Sequence, residues 1–249
     1  MAATSATGAP RSAVAPVARV GLGAVLMLAV LPYLNALNAF WVADDYNYVV
    51  PKTLDTILNF FNPLNRAQYR PFNWLSWAFD YTLYHSQPIG WHVTQLAMHV
   101  FCTLMIVLLL RDLAAAWWPS DHAAQAWVPL VTGALFAVHP SHPEAVTWIG
   151  GRADVPFGVG LFLAAWALTR WRTTGQAHYY LLITVGTWLG LMGKEAGLVT
   201  PLALLLVDLA MPDRSHAAEL KAARPGARGI APAVGYLAAQ MSVRVLLML

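Results

Sequence analysis

The stretch VTQLAMHVFCTLMIVLLL, residues 93–110, runs for eighteen positions without one Asp, Glu, Lys or Arg. As an α-helix it extends about 27 Å, close to the ~30 Å thickness of a bilayer's hydrocarbon core. Six further apolar runs flank it, at 20–37, 123–138, 155–171, 177–193, 196–211 and 230–249. None has a consistently polar face, so each reads as a helix surrounded by lipid or protein on every side. The expectation is an all-α, polytopic transmembrane bundle of about seven spans. Residues 1–19 form a cytoplasmic N-terminal tail and 20–249 a membrane domain. The first run also admits a cleaved signal peptide, since Arg11 and Arg19 precede it, but no small-x-small cleavage site follows.

Composition agrees. Hydrophobic residues make up 58% of the 249 positions and charged residues 11%, with eleven Trp and eight Met; a soluble domain carries roughly 25% charge. A net charge of +3 and a pI near 9.1 do not indicate nucleic acid, because the basic residues are scattered between apolar runs instead of forming a patch. The single cysteine, Cys102, lies inside an apolar run and reads as a small buried hydrophobe.

Cations set the orientation. With the N-terminus cytoplasmic, Arg11, Arg19, Arg111, Arg170, Arg172, Arg214, Lys221, Arg224 and Arg228 lie inside. Lys52, Arg66, Arg70, Arg152 and Lys194 lie outside, and Arg244 falls within the last run. The excess inside is the expected bias of a multi-pass chain. Three outer connections then carry most of the remaining polarity.

The first outer connection, residues 38–92, opens with FWVADDYNYV and its adjacent Asp44 and Asp45. It continues with LDTILNFF and YRPFNWLSWAFDYTLY, aromatic segments spaced like short amphipathic helices lying in the interface. The second, AVHPSHPEAVTWIGGRADVP, holds His139, His142, Glu144, Arg152 and Asp154. Ser141 and Glu144 have capping-box spacing, which predicts a short helix over 142–149 stopped by Gly150 and Gly151. Arg152 and Asp154 are close enough in sequence to pair with each other. The third, LMGKEAGLVTP, places Lys194 and Glu195 inside some thirty apolar residues. Ionisable groups at membrane depth mark a functional site by default. The three clusters share one side of the membrane and are expected to converge on one cavity.

The combination of WVADD, RPFNWLSW, FAVHPSHPEAVTWIGGRAD and GKEAGLVTPLALLLVD resembles the N-terminal membrane region of the transmembrane and tetratricopeptide-repeat O-mannosyltransferase family, of the glycosyltransferase-C superfold. The resemblance covers about residues 20–210. It implies an inverting transferase that takes a sugar, usually mannose, from a polyprenyl phosphate, with an acidic motif of the first outer loop at the active site. Family members continue through further spans and a tetratricopeptide array. This chain stops within its seventh run and holds no helix-pair repeat of ~34 residues, so a fragment or a shortened relative is expected.

The chemistry suits these residues. Transfer to a hydroxyl of a protein Ser/Thr or a glycan needs a base near the acceptor, a role for Asp44 or Asp45. The leaving phosphate needs cations, for which Arg152 and Lys194 are the candidates with Arg70 behind them. His139, His142, Glu144, Asp154 and Glu195 can bind sugar or phosphate oxygens, and a divalent metal bridging them is the minority reading, since no HExxH spacing is present. No other cofactor is implied. A transporter and a non-catalytic membrane anchor remain rivals, the former weakened because the charges gather on one face instead of lining the spans.

Overall fold

Helices account for all the regular structure in the computed structural model, which describes residues 11–62 and 69–211; among them there is no strand. The run at 230–249 and the connection at 212–229 lie outside the described residues.

The first apolar run does not form one helix. Helix α1, Arg11–Leu28, ends at Leu28, and a 3-10 segment, Leu31–Asn38, continues the path. Pro32 is the cause: it offers no N–H and its ring collides with the carbonyl four residues back, that of Leu28. The loop helices expected in residues 38–92 form as α2, Leu54–Asn59, capped by the Thr53 hydroxyl on Thr56 N at 3.2 Å, and α3, Pro71–Tyr84. Helix α3 buries Pro71, Asn73, Trp77, Ala78 and Asp80 and leaves Phe79 and Leu83 exposed, so one of its faces docks on the bundle.

The stretch at 93–110 lies within α4, Pro88–Trp117, a helix of 30 residues. Pro88 supplies a favourable first turn and an alanine-rich end prolongs the last ones. At about 45 Å the helix exceeds a hydrocarbon core, and its first turns carry Trp91, His92 and Gln95 into the polar end of the molecule. Helices α5, His122–Ala137, α7, Asp154–Thr174, α8, Ala177–Gly193, and α9, Thr200–Ala210, complete the bundle. The expected short helix of the second connection is α6, His142–Thr147. The first residues of the 196–211 run form a 3-10 turn, Glu195–Val199, before α9 begins. Among the described residues two stretches, Val20–Asn38 and Pro88–Trp117, are long and apolar enough by themselves to cross a membrane.

One end of the bundle is aliphatic, with Leu109, Leu113, Ala164, Leu168, Ile183 and Leu204 packed together. Arg170 and Thr169 meet Asp112 there, and Arg172 pairs with Asp208. The other end is aromatic, built on Trp41, Trp77, Trp91 and Ile149. Leu135, Leu181, Leu202, Leu206 and Leu209 stay exposed on the flanks.

The α7–α8 contact is backbone against backbone. A Cβ added at Gly160 would lie 2.2 Å from Gly190 N and 2.4 Å from Gly186 O. Gly160→Ala is therefore expected to lower stability by about 1–3 kcal/mol. Gly23→Ala, where nothing lies within 4 Å, should cost nothing and gain helix propensity. Thermal unfolding of both variants in detergent checks the contrast; equal midpoints would refute the close α7–α8 approach.

Candidate functional site

The adjacent aspartates do different work. Ala43 adopts φ 53, in the left-handed region that costs a β-carbon residue strain. It begins a 3-10 turn, Ala43–Asn47, that folds Asp45 back on the chain. Asp45 is 2% exposed. Its Oδ2 accepts from Val42 N at 2.9 Å and its Oδ1 from Gly150 N at 2.8 Å, so it staples the first polar connection to the second. Asp44 is half-buried. Its Oδ2 accepts from the Tyr48 hydroxyl at 3.0 Å, while its Oδ1 has no partner. That oxygen is buried, and a Cβ at Gly150 would lie 2.9 Å from it, so glycine is what lets the two loops pack this closely.

Tyr48 fixes Asp44 from an aromatic wall, stacking on Trp77 with ring centroids 3.9 Å apart and meeting Trp74 edge-on. Burial, then the hydrogen bond to Asp44, pushes its phenol up to about 12. Tyr48 therefore keeps its proton and donates a hydrogen bond to Asp44 at any physiological pH.

Arg152 is not a free cation. It is 0% exposed and pairs with Asp80, also 0% exposed, at 2.5 Å. Its Nε donates to Gln95 Oε1 and its Nη2 to Trp91 O, both at 3.1 Å, and the guanidinium lies over the Trp91 ring. Thr94 donates to Asp80 Oδ1 at 2.7 Å, and Gln95 Nε2 reaches the carbonyls of Ala145 and Trp148 at 2.5 and 2.7 Å. Burial raises the Asp80 carboxyl and lowers the Arg152 guanidinium, while their mutual attraction opposes both shifts. This network ties α3, α4, α6 and the Gly150–Ala153 turn together. The expected Arg152–Asp154 pairing is thus corrected. A buried guanidinium takes the buried carboxylate, and Asp154 at the surface takes Lys194.

Lys194 Nζ lies 2.5 Å from Asp154 Oδ1, with side chains 31% and 50% exposed. Arg70 holds Glu195 through Nε at 3.1 Å to each oxygen and Nη2 at 2.7 Å, at 21% and 41% exposure. Lys194 and Glu195 therefore reach apart, one to α7 and one to the start of α3. The three polar connections meet at one end of the bundle through these contacts.

The second connection is partly corrected. Ser141 makes no cap bond to α6; its hydroxyl is hydrogen-bonded to His139 Nδ1 at 2.7 Å instead. His139 and Glu144 are exposed. His142 turns inward against Phe136 and His99, and burial lowers its pKa. Among the described residues no group of three or more His, Cys, Asp or Glu is placed to hold a metal ion, so His139, His142 and Glu144 do not form the metal cluster weighed from sequence.

A cleft of about 630 Å³ opens beside Asp45, between the Leu31–Asn38 segment, the start of α4 and α6, and includes His92 and Glu144 in its lining. Sequence reasoning missed Tyr48, Asp80, Gln95 and His92. Tyr48 is four residues from Asp44. The others are polar groups in the helical turns that enter the polar end, a signal that hydropathy averages away.

The fold and site define a helical membrane protein with one organised, ionisable end. No family model matches the chain, and no solved structure matches it. Among curated proteins, it is 31% identical over 206 residues to the Protein O-mannosyl-transferase Tmtc1 of Drosophila melanogaster, covering 77% of this chain and 23% of that one. It is 30% identical over 203 residues to Protein O-mannosyl-transferase tmtc2 of Xenopus laevis, covering 72% and 23%. A Protein O-mannosyl-transferase of Caenorhabditis elegans is 28% identical over 201 residues, covering 75% and 28%. The chain belongs to the transmembrane and tetratricopeptide-repeat O-mannosyltransferase family. It spans about a quarter of the length of the curated relatives it matches.

Proposed function

We propose that this chain is the catalytic membrane region of a glycosyltransferase that moves mannose or another hexose from a polyprenyl phosphate to a hydroxyl on a protein or glycan. The bundle is read as glycosyltransferase-C-like and multi-pass, with about seven spans when the 230–249 run is counted and its polar end on the outer face. One observation carries the reading. In a family member, three polar connections from distant parts of the chain meet at one end of the bundle, which holds an aspartate with one buried, unengaged oxygen and two partly exposed cations.

In this reading Asp44 Oδ1 takes the acceptor's proton as the acceptor oxygen bonds to the anomeric carbon. The bond from that carbon to the phosphate oxygen breaks, and the phosphate leaves with the electron pair. Attack opposite the leaving group inverts the anomeric centre. Asp45 supports the loop and Tyr48 orients Asp44.

Of the cations, Arg70 and Lys194 are the ones a phosphate can reach. Their present partners are no obstacle, because exposed ion pairs contribute only about 0–1 kcal/mol. As the bond to the sugar breaks, the phosphodiester becomes a monoester with a third terminal oxygen and a second charge, more than a single carboxylate offers. Arg152 acts instead by holding the loops in place. Arg70→Gln and Lys194→Gln are expected to weaken donor binding about tenfold each, through the loss of ~1.5 kcal/mol or more from a charge-assisted contact. Titration of the full-length protein with a polyprenyl-phosphate mannose measures this; parental affinity in both variants refutes the phosphate assignment.

A further inference from the structure

The Asp44 oxygen assigned as the base is closed to an acceptor. Oδ1 is buried and has no protein partner. Val42, Ala43 and Asp45, on either side of Asp44, line the cleft of about 630 Å³, but Asp44 itself is not part of the lining. Trp148 is part of it. A Cβ at Gly150 would stand 2.8 Å from Trp148 Cε2 and Cζ2 and 2.9 Å from Asp44 Oδ1, so the indole and the buried oxygen flank the same point. Trp148 therefore borders the cleft and the base at once.

Trp148 is held by its backbone. It follows α6 in an extended conformation, φ −88 and ψ 122, and its carbonyl accepts from Gln95 Nε2 at 2.7 Å and from Gly151 N at 3.2 Å. The ring rests on two glycines, since a Cβ at Gly151 would lie 3.1 Å from its Cε3. Neither glycine has a positive φ, so the pair provides room for the ring and not a special turn. Trp41, Trp77 and Trp91 pack into the aromatic cluster with Trp74 against it, whereas the half-buried Trp148 stands outside that cluster. Turning the indole about its two side-chain torsions leaves the pinned backbone in place.

We infer that Trp148 is a movable cover over Asp44 Oδ1: seated on Gly150 and Gly151 it keeps water from the oxygen, and displaced from that seat it opens the cleft to an acceptor hydroxyl. The inference rests on the reading of Asp44 as the base of a glycosyltransferase. Water is the acceptor that the cover must refuse. At an open Oδ1 a water oxygen would bond to the anomeric carbon while Asp44 takes a water proton. The bond from that carbon to the phosphate oxygen would break, releasing free sugar and the polyprenyl phosphate. A site closed until the acceptor arrives avoids this side reaction.

The test uses the full-length protein in detergent. Carboxyl groups are modified with a water-soluble carbodiimide and glycine methyl ester and quantified by peptide mass spectrometry, with the exposed Asp55 of α2 as internal reference. An open state populated to about 10% or less means that Trp148→Ala is expected to speed modification of Asp44 at least about tenfold. Trp148→Phe, whose smaller ring covers less, should speed it by a smaller factor and keeps the comparison available if the alanine variant does not fold. Asp45, held by Val42 N and Gly150 N, should stay protected in both. Unchanged modification of Asp44 overturns the proposal. So does a rise at Asp44 and Asp45 together, the result of a loop that has merely loosened. The second readout is chemical. With polyprenyl-phosphate mannose as donor, the rate of free mannose release relative to transfer to a threonine peptide is expected to rise about tenfold in Trp148→Ala. An unchanged ratio, or hydrolysis and transfer falling in step, overturns the cover. Modification does not depend on the reaction. An Asp44 that Trp148→Ala uncovers in a protein that transfers no sugar leaves Trp148 as its cover and removes the glycosyltransferase reading.

Discussion

Asp44→Asn is expected to lower sugar transfer by a factor of about 10²–10⁴, the usual worth of a general base. Asparagine keeps the shape and still accepts from the Tyr48 hydroxyl, but its remaining oxygen and amide cannot take a proton from an alcohol. Oδ1 is buried and has no protein partner to lose, so the fold should hardly register the change. Asp45→Asn acts differently. Its two oxygens receive Val42 N and Gly150 N, and an amide can satisfy only one of them. The turn that presents Asp44 then loosens, giving a smaller loss of turnover together with a lower unfolding midpoint. The measurements are donor-to-acceptor transfer by purified full-length protein and thermal unfolding of the same samples. A folded Asp44→Asn protein that binds donor and transfers at the parental rate excludes Asp44 from the chemistry. If both substitutions are silent, the membrane-anchor reading becomes the better one.

Arg152→Met is expected to destabilise the bundle by about 3–5 kcal/mol, because it leaves the Asp80 charge buried without its partner. Asp80→Leu should cost a similar amount for the same reason. The two together should recover most of the loss, since an apolar pair of similar volume avoids the desolvation of both ions. The cycle separates two roles for Arg152. A residue that holds α3, α4 and the Gly150–Ala153 turn gives strong coupling in the unfolding midpoints. A residue that touches donor phosphate gives a binding defect that the Asp80 change cannot repair. A double variant no more stable than either single one would argue against the clamp.

Much of the architecture was legible because it depends on local chemistry. Pro71, Pro88 and Pro143 near helix starts and Gly175 at φ 65 after α7 mark boundaries that any reader of turn chemistry finds. Hydropathy located α4, α5, α7 and α8, since a run without charge has few other structures to adopt. It failed at Pro32, where a proline inside an apolar run outweighed the run, and at residues 195–199, where a 3-10 turn replaced the first turns of a helix. Arg152 looked like a lone cation because its partner, Asp80, lies 72 positions earlier inside an aromatic segment, and sequence spacing carries no record of such a meeting.

The sequence by itself determined an all-helical, apolar chain, its family, and three connections that concentrate its ionisable groups, because composition and periodicity act residue by residue. Tertiary structure alone decided which partner each ionisable group meets and how far it is buried. Once α3 and α4 bring Asp80 and Gln95 to Arg152, that cation is desolvated and spent on holding loops. Arg70 and Lys194, left at the surface, stay within reach of solvent. The same holds for the two aspartates: adjacent in the chain and identical in chemistry, they part because the turn at Ala43 buries Asp45 against Gly150 N and leaves one oxygen of Asp44 without a partner. Charge is written in the sequence, but desolvation and pairing arise only from the packing of distant segments.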